Sequence, residues 1–355
     1  MRVMVVKMSS LGDIIHTLPA LTDAVSAIPG VRFDWLVEEA FAEIPAWHPA
    51  VDRVIPVALR RWRRRPWRCF AGPEWRAVAR AAGGLQYDAV IDAQGLLKSA
   101  WIMCRTRGPR YGMDWRSLRE PLACAVYQQR LAVPRDLHAV ERLRRLFAQA
   151  LHYPLPASAQ DYGLQGPGLQ GPGLQWPGLQ GPDLRGLCLH DHGSLAAGYP
   201  GPGQPSSAAL VCLHGTSRKA KCWPESSWQE LIGLAVSAGR PVMLPWGNAL
   251  ELARAQRLAA CFPSSAVRVL PRLTLTDMAL CLRKAHAAVA VDTGLGHLCA
   301  ALDVPTVSLY GPTRPSLIGT RGASQVHLSP EEGSAMQRIY PADVWHALGE
   351  LRSRS

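Results

Sequence analysis

Short apolar runs alternate with amphipathic stretches in both outer thirds of the chain and stop in the middle. Val3–Val6 is apolar and mostly β-branched, the pattern of a strand covered on both faces. Ser9, Ser10 and Gly12 follow as small loop residues, and apolar positions return at helical spacing over 18–28. Further strands are predicted at 33–37, 54–57 and 89–92, with helices over 74–82, 96–104 and 138–151. The last of these should turn Arg142, Arg144 and Arg145 outward. From residue 209 the rhythm resumes, with strands at 210–213, 241–244, 267–270, 287–291 and 306–309. Helices are predicted between them over 226–238, 250–261 and 275–285, and at 341–351. Such alternation predicts α/β domains built on parallel sheets.

The middle of the chain has neither period. Gly163-Leu-Gln-Gly-Pro167 recurs at 168–172 and 178–182, and at 173–177 with Trp176 in place of the second glycine. A period of five is too short for a solenoid, and Gly and Pro at this density do not sustain regular structure. The predicted organisation is therefore a Rossmann-like domain over 1–155, a low-complexity linker over 156–208 enlarged by tandem duplication, and a second Rossmann-like domain over 209–355. A docking segment anchored by its leucines is the alternative for the repeats. Two facing domains of this kind leave a cleft between the carboxyl ends of their strands, where ligands bind.

Composition narrows the class. At 355 residues and 48% hydrophobic the chain can bury two cores. No stretch approaches the ~20 apolar residues of a membrane span. The first apolar run is interrupted by Lys7, unlike a signal peptide. Nine irregularly spaced cysteines without a Cys-x-x-Cys predict reduced thiols and a cytoplasmic protein. Cys188, His190 and His192 resemble a metal cluster only by residue type, and they lie in the low-complexity stretch. The net charge of +12 is uneven: residues 1–160 hold 23 Lys+Arg against 14 Asp+Glu, a net of +9. Six arginines and two tryptophans crowd into Arg60–Arg68. Exposed Trp interleaved with Arg suits a surface meeting phosphate and apolar groups together.

The candidate chemistry sits at the strand ends. Asp13 is the only carboxylate in the first loop, with Lys7 and His16 near it in sequence; as a plain helix cap it would do no chemistry. Val291-Asp-Thr-Gly-Leu-Gly-His297 places small residues where a strand passes into a helix, an arrangement suited to a diphosphate. His214-Gly-Thr-Ser-Arg-Lys-Ala-Lys221 adds hydroxyls and cations of the same preference. No Asp-x-Asp occurs, so neither a metal site nor a cofactor is expected, and the cationic loop takes the neutralising role.

These stretches closely resemble the lipopolysaccharide heptosyltransferases, the ADP-heptose-using members of glycosyltransferase family 9. The resemblance runs through Val6-Lys-Met-Ser-Ser-Leu-Gly-Asp13-Ile-Ile-His16, Arg60-Arg-Trp-Arg63, Tyr87-Asp-Ala-Val-Ile-Asp-Ala-Gln-Gly95, Leu244-Pro-Trp-Gly247, Val291-Asp-Thr-Gly294 and Tyr310-Gly-Pro-Thr313. It implies a GT-B architecture and an inverting transfer of L-glycero-D-manno-heptose from ADP-heptose to the first Kdo of Kdo2-lipid A. By position, Asp13 is the implied general base. Thr216, Ser217 and Lys221 are implied diphosphate contacts, Glu251 holds the ribose, and Leu273 lines the adenine pocket. Asp292 meets the heptose, with Thr293, Gly294 and His297 at the phosphates. Arg60, Arg61, Arg63 and Arg119 are implied acceptor contacts. The implied location is the cytoplasm, peripheral to the inner membrane, with no nucleic-acid partner. Two departures stand out: Lys219 and Ala220 follow Arg218 where an acidic residue is usual, and the repeats replace an ordinary linker. The competing readings are a paralogous enzyme adding a later heptose and a non-enzymatic binder of nucleic acid or anionic membrane.

Overall fold

The computed structural model describes residues 1–62, 72–164, 209–330 and 335–353. Arg63, Trp67, the repeats beyond Leu164 and the Cys188, His190 and His192 group lie outside the described residues.

The first half runs β1 (Arg2–Val6), α1 (Leu11–Ile15), α2 (Leu18–Ala27), β2 (Arg32–Glu38), α3 (Glu43–Ala46), β3 (Val51–Val57) and α4 (Leu59–Trp62). It continues with α5 (Pro73–Gly83), β4 (Ala89–Asp92), α6 (Leu97–Met103), β5 (Arg110–Met113), β6 (Gln129–Leu131) and α7 (Ala139–Leu151). The second half runs β7 (Leu210–Leu213), α8 (Glu225–Ser237), β8 (Val242–Leu244), α9 (Ala249–Ala259), β9 (Val267–Val269), α10 (Leu275–Lys284) and β10 (Ala287–Val291). It closes with α11 (Gly294–Ala301), β11 (Thr306–Leu309), α12 (Pro315–Ile318), β12 (Gln325–Leu328) and α13 (Pro341–Ser353).

Each half is one six-stranded sheet, ordered β3-β2-β1-β4-β5-β6 and β9-β8-β7-β10-β11-β12. All pairings are parallel. The two sheets share one winding, reversing direction between β1 and β4 and between β7 and β10. The chain is thus two facing Rossmann-like halves, the GT-B arrangement. The central strands are buried on both faces, as their unbroken apolar runs require. Among the described residues no helix is long and apolar enough to cross a membrane.

Three strands escape the hydrophobic pattern. β6 is an edge strand of the first sheet, with β5 next to it, and β12 is an edge strand of the second, each partly exposed and carrying polar residues. Gly112 in β5 is required by packing: a Cβ there would lie 2.3 Å from the Tyr127 ring. Arg144 does not face solvent as its helix pattern suggested. It is buried against α2, where its Nε and Nη2 donate to Asp23 at 2.6 and 3.2 Å. Residues 156–164 are more than spacer: Tyr162 and Leu164 are buried, and the Tyr162 hydroxyl donates to the Arg321 carbonyl at 2.8 Å.

Candidate active site

Parallel strands put every β-to-α loop of a sheet at the same edge, and the crevice opens where the winding reverses. In the first half that point lies between β1 and β4, so residues 7–13 and 93–95 meet there. The Gln94 Oε1 accepts from the N–H groups of Met8 and Ser9, each at 3.0 Å. Gln94 is itself held by Asp92, whose Oδ1 accepts from the N–H groups of Gln94 and Gly95, each at 2.9 Å. Nothing in the type of residue 94 announced this role; its place after the strand beside β1 is the signal that could have.

Asp13 is on the first turn of α1. Its Oδ2 accepts from both the N–H and the hydroxyl of Ser10, at 2.7 Å each, so the capping role is present. Its Oδ1 makes no hydrogen bond among the described residues and lies 3.9 Å from the Lys7 ammonium, with the Asp13 side chain 45% exposed. Partial desolvation pushes the Asp13 carboxyl upward, but Lys7 and the Ser10 hydrogen bonds outweigh it and hold the group below its ordinary range. It is therefore ionised at neutral pH. Lys7 is buried and anchored by donating to the Ala93 carbonyl at 2.9 Å. His16, near Asp13 in sequence, does not bond to it; its Nε2 lies 3.0 Å from Nδ1 of His297.

In the second half the reversal lies between β7 and β10, bringing together the loops after Leu213 and Val291. The Lys221 ammonium pairs with Asp292 Oδ2 at 2.5 Å, and both side chains are mostly buried. The Thr216 hydroxyl donates to the Asp292 carbonyl at 3.0 Å. Thr293 is the residue before α11, in extended conformation and with its hydroxyl uncommitted to the cap. Ser217 is exposed. Glu251, on the first turn of α9, accepts from the Gly247 N–H at 2.7 Å and packs where a Gly215 Cβ would otherwise stand, 2.6 Å from its carboxyl carbon. Leu273 is partly buried just ahead of α10.

The two sets face each other. A Cβ on Gly294 would lie 2.5 Å from Leu11 Cβ, and one on Gly12 would lie 2.6 Å from the His297 ring. The starts of α1 and α11 are therefore in contact through glycine. Behind them His16, His138 and His297 cluster, with the His16 ring 4.4 Å from that of His297 and 5.4 Å from that of His138. Burial lowers the basicity of all three, with His138 and His297 brought to about 4. They are neutral at pH 7, and His297 brings no charge to an anion. Glu43 of the first half accepts from the Thr276 N–H at 2.8 Å at the start of α10, a second junction between the halves.

The arginine cluster is less uniform than its sequence. Arg61 is committed to Glu39 and Glu74, at 3.2 and 2.8 Å. The Arg60 guanidinium lies 4.9 Å from the Phe41 ring centre, exposed, and Arg119 is exposed as well. Among the described residues no group of His, Cys, Asp and Glu is arranged to hold a metal ion.

The chain matches the family model for glycosyltransferase family 9 (heptosyltransferase) over residues 75–343. It is 53% identical to lipopolysaccharide heptosyltransferase 1 of Pseudomonas aeruginosa, over 93% of this chain and 84% of that one. The E. coli heptosyltransferase WaaC with ADP superimposes at a TM-score of 0.84 with 43% identity, covering 99% of this chain and all (100%) of the other. WaaC with ADP-2-deoxy-2-fluoro heptose does so at 0.80 with 42% identity, covering 99% of each. With that identity and that coverage, the chain belongs to glycosyltransferase family 9, the heptosyltransferases.

Proposed function

We propose that the chain transfers L-glycero-D-manno-heptose from ADP-heptose to the first Kdo of Kdo2-lipid A, with inversion, during assembly of the lipopolysaccharide inner core. The observation that carries the mechanism is Asp13, whose Oδ1 makes no hydrogen bond among the described residues, on a turn whose Gly12 packs against His297 of the opposite half. Asp13 Oδ1 takes the proton of the acceptor hydroxyl as that oxygen attacks the anomeric carbon of the heptose. The bond from that carbon to the diphosphate oxygen breaks, and attack from the opposite face inverts the centre. The leaving ADP carries new negative charge, met by Lys221, by the hydroxyls of Thr216, Ser217 and Thr293, and by the backbone N–H groups from Gly294 onward. Asp292, which holds Lys221 at 2.5 Å, is placed to accept from heptose hydroxyls when the diphosphate engages the lysine. Glu251 takes the ribose and Leu273 the adenine. His297 acts as a neutral wall rather than a cation.

In this reading the second half binds the donor. The first half takes the acceptor, with Arg60 and Arg119 at Kdo carboxylates and lipid A phosphates and Arg61 held in an ion-pair network. The enzyme works at the cytoplasmic face of the inner membrane, where such an acceptor presents its sugars. The relatives at 53% and 43% identity support first-heptose transfer over addition of a later heptose. A non-enzymatic nucleic-acid binder has no use for a paired Lys221 and Asp292 opposite a poised carboxylate.

Incubation with ADP-heptose and Kdo2-lipid A, in buffer containing EDTA, followed by mass spectrometry, tests this. One added heptose per lipid is the expected product. A glycan extended only when it already carries heptose would assign the later step, and turnover that requires added magnesium or manganese would remove the metal-free mechanism.

A further inference from the structure

One strongly basic feature lies away from the cleft contacts and takes no part in the chemistry above. Arg76 and Arg80 on α5, with Arg105 and Arg107 just after α6, line an open groove of about 820 Å³. All four are exposed, and among the described residues none makes an ion pair within 4.0 Å. Among the described residues the one acceptor for their guanidinium groups is the Arg76 carbonyl, which takes Arg80 Nε at 3.4 Å. The single carboxylate of α5, Glu74, is engaged by Arg61 at 2.8 Å and by Trp62 Nε1 at 2.7 Å. Four guanidiniums in one groove repel one another unless an anion is supplied from outside.

The groove is built rather than incidental. Trp75 of α5 stacks on Trp101 of α6, with ring centres 4.2 Å apart and planes at 20°, which fixes the two helices side by side. The Arg105 guanidinium is held 5.7 and 5.9 Å from those two ring centres. Gly83 lets the end of α5 close onto the Arg105 carbonyl, since a Cβ there would lie 2.7 Å from it. One end of the groove is lined by Pro73, next in sequence to Glu74, which binds Arg61. At the other end of α6, Leu97 is 50% exposed, and Leu122, on the 3-10 turn packed against α6, is 74% exposed. Basic grooves for nucleic acid have no need of such leucines. A bilayer surface uses both kinds of residue, arginine at lipid phosphates and apolar side chains at the interface.

We infer that the α5–α6 face is the membrane-seating surface of the enzyme, with the four-arginine groove taking the phosphates of anionic phospholipid headgroups. This rests on the membrane-embedded acceptor proposed above and names the face that meets the bilayer. Seating there holds the first half against the lipid surface from which the acceptor projects.

The test is sedimentation of the full chain with vesicles of phosphatidylcholine alone or with one quarter phosphatidylglycerol, at 0.1 and 0.5 M salt. The wild type should favour the phosphatidylglycerol vesicles and lose that preference at high salt. Replacing all four together (Arg76→Gln, Arg80→Gln, Arg105→Gln, Arg107→Gln) should weaken that partition about tenfold or more. Replacing them all by Lys should largely preserve it. Turnover on a deacylated, soluble acceptor should be unchanged by the Gln set, which also reports that the variant folds. A wild type indifferent to phosphatidylglycerol would overturn the membrane reading itself. Gln variants that partition like wild type would overturn this face alone. Loss of soluble-acceptor turnover with intact folding by circular dichroism would place the groove in substrate binding and overturn the inference. Saturable binding of inorganic phosphate, or of an RNA oligonucleotide that vesicles fail to displace, would do the same.

Discussion

Asp13 uses its two oxygens differently, and that division separates a cap from a base. Oδ2 closes the turn by accepting from the Ser10 N–H and hydroxyl at 2.7 Å each, whereas Oδ1 makes no hydrogen bond among the described residues and lies 3.9 Å from the Lys7 ammonium. Asn can keep the turn through its carbonyl oxygen but cannot take a proton. Asp13→Asn is therefore expected to fold and bind ADP-heptose normally while losing about 10²–10⁴-fold in kcat. Calorimetric titration of the donor beside a steady-state assay checks both halves, and a variant within a few-fold of wild type would leave Asp13 a cap only. Lys7 sets where the base titrates. Desolvation raises the Asp13 carboxyl, and the nearby ammonium together with the Ser10 hydrogen bonds lowers it further than that, so the wild-type acid limb of kcat/KM should lie below that of an ordinary aspartate. Lys7→Met removes the cation while filling most of its volume. Loss of a stabilising positive charge favours the protonated acid, so the limb should move to higher pH. An unmoved limb would mean that the rate reports some other group. These residue-scale features were half legible. A lone carboxylate in a small-residue loop after a buried strand is visible in the sequence, whereas which of its oxygens is spent on the turn is not.

Between elements, the decisive contact joins α1 to α11 and is made possible by two glycines. A Cβ at position 294 would stand 2.5 Å from Leu11 Cβ, a distance no real pair of side chains holds, so Gly294→Ala must part the helices. The expected cost is about 1–3 kcal/mol in urea unfolding, with a fall in turnover. Gly349→Ala is the control: that glycine lies in α13 with nothing within 4 Å, and the change should gain about 0.5–1 kcal/mol. Equal stability of wild type and Gly294→Ala would show that the two helices are not held together. The histidines behind this contact give the junction a pH dependence. His138 and His297 are lowered to about 4 by burial, from an unfolded value near 6.5, and His16 is lowered too. Between those pH values the unfolded chain binds more protons than the folded one. Stability should therefore fall as pH drops from about 6.5 toward 4, by up to about 1.4 kcal/mol per pH unit for each histidine. Asp13 adds to the trend and Asp92, raised by burial, opposes it, so the informative quantity is a difference between proteins. His138→Gln retains a donor for the Gly319 carbonyl and should show a shallower slope across that window, while equal slopes would exclude His138 as a contributor. Helix and strand periods exposed the central strands and the long helices. They missed β6 and β12, whose edge positions relax the need for apolar residues, and the half-buried β5 beside β6. They also misdirected Arg144, because a buried arginine paired with Asp23 looks the same in sequence as a solvated one. The His16–His297 contact spans 281 positions, and no local pattern encodes it.

At the scale of the molecule, the doubled winding and the charge imbalance divide the labour. Both sheets reverse at their first strand, so a loop of β1 and a loop of β10 meet over one cleft, and the two-domain plan was readable because each half repeats the same alternation. The net of +9 in residues 1–160 was readable too, but the sequence treated Arg60–Arg68 as one patch. Folding distributes the first of them: Arg61 is neutralised between Glu39 and Glu74, while among the described residues the exposed guanidiniums of Arg60 and Arg119 have no carboxylate within 4.0 Å. A charge already compensated has little left for a ligand, whereas an uncompensated one gains a charge-assisted hydrogen bond of about 1.5–3 kcal/mol on meeting a phosphate or carboxylate. Arg60→Gln combined with Arg119→Gln should therefore raise the acceptor KM roughly ten- to a hundredfold. Arg61→Gln should move it much less and show instead as a small loss of stability. ADP-heptose affinity should stay within error in all of these, since screened charges act over only about 8–10 Å at physiological salt. Both constants must be read on one preparation of each variant. Should donor affinity fall together with the acceptor term, Arg60 and Arg119 serve the donor or the closure of the cleft, and the division into an acceptor half and a donor half does not hold. Should Arg61→Gln prove the most damaging for the acceptor, its ion pairs with Glu39 and Glu74 open on binding, and the cluster is a latch released by the acceptor rather than a fixed docking surface.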